Sequence, residues 1–116
     1  MITQAIPKLP FIEKQKTIDF YVNQLGFILS SDYGDYFIIN ADAAELHFFA
    51  FPDLIPAKSD FMIYLRIDCK IEEFYQNLIS KNTKILSQLE AKPWQQTEFA
   101  LTDPNGTLLT FGQAFE

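Results

Sequence analysis

The sequence predicts an α+β protein built from two similar β-α-β-β-β modules. Apolar side chains in the first half repeat with the spacing of an amphipathic helix, at Ile18, Tyr21, Val22 and Leu25. The same spacing returns 53 residues later, at Ile71, Phe74, Tyr75 and Leu78. One predicted strand precedes each helix and three follow it, so both halves share one order of elements. A unit of about 55 residues cannot easily bury one face of a sheet alone, which favours two copies packed together.

Charged residues and a glycine mark the expected helix ends. Asp19 in the first helix, and Glu72 with Glu73 in the second, place acid near the helix start, where the helix dipole favours it. Gly26 stands where a C-terminal cap would end the first helix. Asp68 is the predicted N-cap of the second helix.

Strand-like segments flank both helices. In the first module they are QAIPKLPFI before the helix, and FILSSD, DYFIIN and AELHFFAF after it. In the second module they are DFMIYLRID before the helix, and TKILSQLE, TEFALTD and TLLTFG after it. A tight turn at Tyr33-Gly34 joins FILSSD to DYFIIN, and the strong turn signal DPNG joins the last two strands.

A proline-containing segment separates the two modules. FPDLIPAKSD carries two prolines, which disfavour regular structure and stiffen the chain. We therefore interpret the chain as one domain made of module 1 (about residues 4–51) and module 2 (about 60–113), joined by a linker at 52–59.

Alternation along the strands gives each sheet two unlike faces. The predicted helix-side positions are aliphatic or aromatic, namely Leu46, Phe48, Ile63, Leu65, Ile67, Phe99 and Leu101. The opposite positions mix aromatic and polar side chains, namely Glu45, His47, Phe49, Met62, Tyr64, Arg66 and Glu98. A face of this second kind suits the lining of a ligand cleft.

Composition excludes several classes of protein. The 116 residues carry a net charge of -6 and no cluster of Lys and Arg, which argues against a nucleic-acid partner. Cys69 is the only cysteine, so no intrachain disulfide or Cys-rich zinc site can form. No apolar run approaches the ~20 residues of a membrane span, and the start lacks the pattern of a secretory signal. We therefore expect a cytoplasmic protein without a membrane partner.

The motifs resemble the vicinal oxygen chelate superfamily, which includes glyoxalase I, extradiol dioxygenases and bleomycin resistance proteins. FYVNQLGF, ELHFFAFPDL and YLRID, and above all PW followed by EFALTDPNGTLLTFG, look like the bleomycin resistance branch. The resemblance covers about residues 5–113. DPNG is shared across the superfamily, whereas the Pro-Trp followed by Glu-Phe-Ala-Leu is more specific to the branch. The resemblance implies mixed, curved sheets with a helix on the outer face of each.

The superfamily's enzymes hold a metal with His, Gln or Glu side chains from four strands. The resemblance places these positions near Ile6 or Pro7, near Met62 and near Thr110, with only His47 and Glu45 on the fourth strand. Ile, Met and Thr are poor ligands for the Zn, Ni or Fe of such sites. We therefore expect no metal, no other cofactor and no catalytic residues.

The bleomycin resistance branch implies a homodimer with two clefts at the subunit interface, each holding one drug molecule away from DNA. Trp94 and Tyr36 match the two aromatic residues that sandwich the drug's flat bithiazole. Asp32, Asp35 and Glu98 are expected to attract its positively charged parts. The remaining candidates for the cleft lining are His47, Phe49 and Tyr64.

Each candidate also has a plain structural interpretation. Trp94 could be a packed aromatic, and Asp32 and Asp35 could be turn residues. Phe49 could be buried in a dimer interface, and Arg66 could pair with Glu98 and neutralise it.

The predicted function is thus sequestration of bleomycin-type glycopeptides without chemistry. Two alternatives stay open at this point, a metal-dependent glyoxalase- or dioxygenase-like enzyme and a binder of another flat or cationic small molecule. Whether the modules pair within one chain or by exchange between chains is also left open by the sequence.

Overall fold

A computed structural model describes all 116 residues and contains two four-stranded sheets, each packed on one face against a helix. The elements of the first module are β1 (Lys8–Phe11), α1 (Lys14–Asp19), a π-helical continuation (Phe20–Gln24), β2 (Ile28–Asp32), β3 (Tyr36–Ala41) and β4 (Ala44–Ala50). A short 3₁₀-helix (Pro56–Lys58) precedes the second module. The second module consists of β5 (Met62–Arg66), α2 (Ile71–Ser80), β6 (Ser87–Lys92), β7 (Gln96–Thr102) and β8 (Leu108–Ala114). No helix is long and apolar enough to cross a membrane.

The two sheets have the same topology. Their strand orders are β1-β4-β3-β2 and β5-β8-β7-β6. In each sheet the strand before the helix runs parallel to the last strand of the module, and the other neighbours are antiparallel. The predicted pair of β-α-β-β-β modules is therefore confirmed.

A pair of stacked phenylalanines lies at the centre of each sheet. Phe37 pairs with Phe48 across β3 and β4, with ring centroids 4.8 Å apart. Phe99 pairs with Phe111 across β7 and β8, with centroids 5.0 Å apart. All four rings are buried and lie on the helix side of their sheets, which confirms the predicted side of Phe48 and Phe99. The two pairs fix which positions of the two sheets are equivalent.

The first helix begins earlier than its acidic residue predicts. Glu13 precedes the first turn, and its carbonyl accepts hydrogen bonds from both the backbone N–H and the hydroxyl of Thr17. Asp19 is consequently the last residue of α1, not part of the first turn, and the predicted dipole role for it is wrong. The helix continues as the π-helical segment, and Gly26 follows the C-cap residue of that segment, Leu25. The φ of +86° at Gly26 confirms the predicted glycine cap.

The N-terminus of the second helix is capped by a side chain that is distant in the sequence. Asp68 is not its N-cap, because the helix starts one residue after Lys70, which has a left-handed φ of 63°. The N–H of Ile71 instead donates to Oε1 of Gln113, on β8, at 2.9 Å. Glu72 and Glu73 do lie in the first turn, as predicted.

Two segments of the second module differ from the expected boundaries. The strand predicted from TKILSQLE is β6, which begins only at Ser87 and runs on to Lys92. Thr83 is used instead to bridge the modules, since its hydroxyl donates to Oε1 of Gln24. The linker also contains regular structure, because Pro56 opens the 3₁₀-helix in a position that needs no N–H donor.

A buried polar cluster joins the modules, and we call Thr17, Tyr21, Asp103 and Asn105 the module junction. The Tyr21 hydroxyl donates to Asp103 at 2.7 Å, and the Asn105 amide donates to the Thr17 hydroxyl at 3.1 Å. The side-chain oxygen of Asn105 accepts the backbone N–H of Ile12 at 2.9 Å. The DPNG turn of module 2 thus completes the hydrogen bonds of module 1.

The DPNG turn packs closely against the linker. Gly106 has a φ of +81°, and a Cβ there would overlap the backbone carbonyl of Pro56. The turn's Asp103 also accepts the backbone N–H groups of Asn105 and Thr107, at 2.8 and 3.0 Å. Burial nevertheless raises the pKa of the Asp103 carboxyl, although the hydrogen bonds that it accepts act in the opposite direction.

The raised pKa of Asp103 predicts a pH-dependent contribution to stability. Because the folded protein binds this proton more tightly than the unfolded chain does, the contribution is complete below the ordinary carboxyl pKa of 3.8. It is lost as the pH rises through the folded-state pKa. Relative to Asp103→Asn, which cannot titrate there, the wild type should lose free energy of unfolding from about pH 4 upward.

Urea unfolding of both proteins between pH 4 and pH 8 measures this difference. Asp53→Asn removes an exposed linker carboxylate and corrects for the altered net charge. A difference that grows in favour of the wild type as the pH rises would contradict the assigned direction.

Candidate functional site

The candidate residues fall into two groups, on two different sheets. Tyr36, His47 and Phe49 lie on the face of the first sheet that points away from its helix. Tyr64 and Glu98 lie on the corresponding face of the second sheet, and Trp94 lies beside them. We call these two surfaces the open faces.

No hydrogen bond or ring contact joins the two groups. A groove of about 990 Å³ does run between the modules, but of the eight candidates it contains only Tyr64. A single chain therefore presents two half-sites, and does not enclose them in one cleft.

A chain of hydrogen bonds crosses the first open face. Nε2 of His47 lies 2.6 Å from Oε2 of Glu45, and Nδ1 lies 2.6 Å from the hydroxyl of Tyr36. A neutral imidazole satisfies both contacts by donating to the carboxylate and accepting from the phenol. Both nitrogens of His47 are therefore engaged by protein groups.

The ring of Tyr36 is fixed from two sides. Its hydroxyl is held by His47, and the ammonium group of Lys8 lies 5.7 Å from the ring centroid, within the range of a cation–π contact. Tyr36 is the first residue of β3 and is half-buried. Phe49 sits directly across from it on β4 and also contacts Phe61 of the second module.

A single carboxylate organises the second open face. Glu98 is only 7% exposed, and its Oε2 accepts both the indole N–H of Trp94 and the hydroxyl of Tyr64, each at 2.8 Å. Arg66 forms no salt bridge with Glu98 and lies instead over the ring of Tyr64, at 5.7 Å. The alternative Arg66–Glu98 pair therefore does not form, because the guanidinium is directed to the aromatic ring.

Tyr64 reaches Glu98 by crossing the strand between them. β8 separates β5 from β7, and Gly112 on β8 is the residue opposite Glu98. A Cβ at Gly112 would overlap the hydroxyl and the ring of Tyr64. Partial burial, followed by the hydrogen bond to Glu98, raises the pKa of Tyr64.

Trp94 lies in the turn between β6 and β7 and remains 59% exposed. The next residue, Gln95, has a left-handed φ of 69°. Its N–H donates to the carbonyl of Lys92, and its own carbonyl accepts the N–H of Phe115. The indole is therefore tied to the protein through its nitrogen while most of the ring faces outward.

Asp32 and Asp35 do not share the surroundings of Glu98. Both oxygens of Asp32 accept from the ammonium group of Lys14, and one also accepts the N–H of Gly34. The hydrogen bond from Gly34, followed by that from Lys14, lowers the pKa of Asp32. This is the arrangement of a turn residue, and the nearby ammonium offsets any pull on a cationic ligand. Asp35 is exposed in the same turn, and its backbone carbonyl accepts a hydrogen bond from the N–H of Ala50.

The structure places no three His, Cys, Asp or Glu side chains close enough together to hold a metal ion. Thr110 and Met62 occupy the strands that the enzymes of the superfamily are expected to use. Cys69 is exposed, and the adjacent Asp68 raises the pKa of its thiol.

Sequence reasoning missed Gly112 as a functional position. A glycine inside a strand often marks a close approach of another group, and this signal was present in TLLTFG. The φ of Gly112 lies outside the left-handed region, so its backbone alone does not require glycine. Its role follows only from the path of Tyr64.

Comparison with known proteins gives consistent results. Residues 13–111 match the Glyoxalase/Bleomycin resistance protein/Dioxygenase superfamily. A bleomycin resistance protein from Klebsiella pneumoniae is 38% identical over 117 residues, covering 94% of this chain and 90% of that protein. One from Geobacillus stearothermophilus is 25% identical, covering 95% of this chain and 96% of that protein.

Solved structures agree with the sequence relatives. A crystal structure of a bleomycin-binding protein complexed with bleomycin superimposes with a TM-score of 0.85 at 34% identity, covering 97% of this chain and 98% of that one. A bleomycin resistance determinant encoded on the transposon Tn5 gives a TM-score of 0.86 at the same identity and coverage.

The packing of Tyr64 over Gly112 predicts a strong coupling between these residues. Gly112→Ala should destabilise the protein by about 1–3 kcal/mol, because the added methyl group displaces the Tyr64 ring and breaks its bond to Glu98. In a Tyr64→Ala background the same change should cost close to nothing. A double-mutant cycle from urea unfolding measures the coupling, and equal costs in both backgrounds would contradict the close approach.

Proposed function

The chain belongs to the glyoxalase/bleomycin resistance protein/dioxygenase superfamily, and we propose that it binds bleomycin-type glycopeptides without catalysis and thereby sequesters them. The observation that carries the proposal is Trp94, whose indole nitrogen is bonded to a buried carboxylate while the ring stays 59% exposed. An exposed tryptophan held in this way presents a flat surface to a ligand. The relatives named for bleomycin resistance, and the structure solved with bleomycin, support the choice of ligand.

Aromatic stacking would supply the main attraction. A flat heteroaromatic ring stacked on an aromatic side chain gains roughly 1–3 kcal/mol, by analogy with nucleic-acid bases. The bithiazole of bleomycin is such a ring system, and Trp94 is the most exposed aromatic on the second open face. Tyr36 and Phe49 are the corresponding rings on the first open face.

A complete cleft requires two copies of the chain in this proposal. Within one chain the two half-sites make no contact, so a second copy must bring the first open face of one protomer opposite Trp94 of the other. The second open face supports this, since Met62, Tyr64 and Trp94 are 66%, 44% and 59% exposed and form an apolar surface at the site. The proposed assembly is a homodimer with two equivalent clefts.

Charge favours the same ligand class. The net charge of -6 attracts a drug with cationic groups. Glu45, Glu90 and Glu98 are carboxylates on the open faces, and each is already held by hydrogen bonds to protein groups. Capture before the drug reaches chromosomal DNA places the protein in the cytoplasm.

Titration with bleomycin tests the proposal directly, because Trp94 is the only tryptophan. Micromolar drug should quench its emission. Trp94→Ala should weaken binding, measured by calorimetry, by about 1–3 kcal/mol. Leu86→Ala, which removes an equally exposed apolar side chain elsewhere in module 2, serves as the control. Absence of quenching and of heat with the wild type would overturn the proposed ligand.

The mass of the protein in solution tests the proposed dimer. Sedimentation or light scattering should give a mass near twice 13.4 kDa. Met62→Lys places a charge in the proposed interface and should shift the protein toward the monomer, whereas Ile79→Lys on α2 should not. A wild-type mass of 13.4 kDa at the concentration used for titration would contradict a shared cleft.

A further inference from the structure

We infer that Glu98 and Tyr64 are positioning residues that hold Trp94 in a single orientation before any ligand binds. The inference rests on the proposed function for its consequence, which is tighter stacking of a flat ligand. It assigns Glu98 a geometric role in place of the attraction of cations expected from the sequence.

The first step concerns the carboxylate. Glu98 is 7% exposed, and the same oxygen, Oε2, accepts from both Trp94 and Tyr64 at 2.8 Å. A buried carboxylate without hydrogen-bond donors is costly, so these two bonds are strongly favoured over open alternatives. With Oε2 engaged by two donors and the residue 7% exposed, the carboxylate offers little free surface to a cationic group of a ligand.

Second, two neighbours hold Tyr64 in place. Gly112 leaves the gap through which the tyrosine crosses β8, and the guanidinium of Arg66 lies over the ring, 5.7 Å from its centroid. The hydroxyl therefore meets Glu98 from a fixed direction. Tyr64 in turn restricts the carboxylate to the rotamer that accepts from Trp94.

The third step concerns Trp94 itself. An indole that is 59% exposed has too few packing contacts to fix its side-chain dihedrals. The backbone hydrogen bonds of Gln95 hold the turn, but they do not set the ring plane. The bond from Nε1 to Glu98 does so, and it leaves the ring faces free. The loss of side-chain freedom then occurs on folding and not on ligand binding, which is the meaning of preorganisation.

The first open face gives an internal comparison. Because Phe37–Phe48 corresponds to Phe99–Phe111, the pair Tyr36 and Phe49 occupies the positions of Glu98 and Gly112. On the first open face the aromatic residue Tyr36 belongs to strand β3 itself, so no glycine is needed to make room for it. The positioning residues Glu98 and Tyr64 therefore have no counterpart on the first open face, and they serve only Trp94, whose ring projects from a turn.

Three variants separate geometry from charge. Glu98→Met removes the acceptor but retains the side-chain length, and it should weaken bleomycin binding about tenfold or more. Glu98→Gln restores an oxygen acceptor without the charge, and it should recover most of that loss. Tyr64→Phe should weaken binding severalfold, whereas Tyr75→Phe, the loss of a hydroxyl on the helix side, is the matched control and should have no effect.

A second readout needs no ligand. The fluorescence anisotropy decay of Trp94, the sole tryptophan, should show slow tumbling in the wild type and in Glu98→Gln. It should gain a fast component in Glu98→Met. Circular dichroism and thermal unfolding verify that each variant is folded. Should Glu98→Met fail to fold, Gly112→Ala, which displaces Tyr64, should produce the fast component in its place.

Two results would overturn the positioning role of Glu98. Equal losses of affinity in Glu98→Gln and Glu98→Met would show that charge matters, and would overturn the positioning role. An unchanged anisotropy decay in folded Glu98→Met would overturn it as well. If the wild type fails to bind bleomycin, the proposed ligand is wrong, and the anisotropy measurements alone then decide whether Glu98 positions Trp94.

Discussion

The hydrogen bond between Tyr21 and Asp103 is the contact on which the arrangement of the two modules depends. It joins the first helix to the DPNG turn, and with Thr17 and Asn105 it forms the only extended buried polar network between the halves. Hydrogen bonds are more directional than apolar contacts, and a buried carboxylate must keep its donors. The junction therefore sets the relative position of the two sheets, and with it the directions in which the two open faces point.

The two modules share a plan but carry different chemistry on their open faces. Both centre on a stacked pair of phenylalanines, and both pack one helix against the sheet face opposite the open face. In the first sheet the aromatic surface grows directly from strand residues, Tyr36 and Phe49. In the second, the equivalent positions hold a carboxylate and a glycine, and the aromatic surface is supplied by the neighbouring turn. A cleft built from one face of each kind has two unlike walls, which suits a ligand with two unlike sides.

Local signals carried most of the fold, and non-local ones were missed. Helix periodicity, strand alternation and the DPNG turn each depend on neighbouring residues. They gave the order of the elements and the two faces correctly, whereas several element boundaries were wrong. The start of α2 was misplaced because its cap is Gln113, 42 residues further on. The resemblance identified Trp94 as a stacking residue, but not its hydrogen bond to Glu98. The bond from Tyr64 to Glu98, across 34 residues, depends on how β5 aligns with β8. The Tyr64–Glu98 contact requires the parallel pairing of β5 with β8, which no tight turn connects, so no local pattern in this sequence specifies it.

Adjacent residues on β8 serve opposite sides of the second sheet. Gly112 opens the passage for Tyr64 on one face, and Gln113 accepts the N–H of Ile71 at the start of α2 on the other. A slip of the strand by one residue would exchange their faces, fill the passage with a glutamine and leave the helix start without its acceptor. This Gly-Gln pair therefore penalises the nearest wrong alignment of the final strand twice, once on the open face and once at the start of the helix.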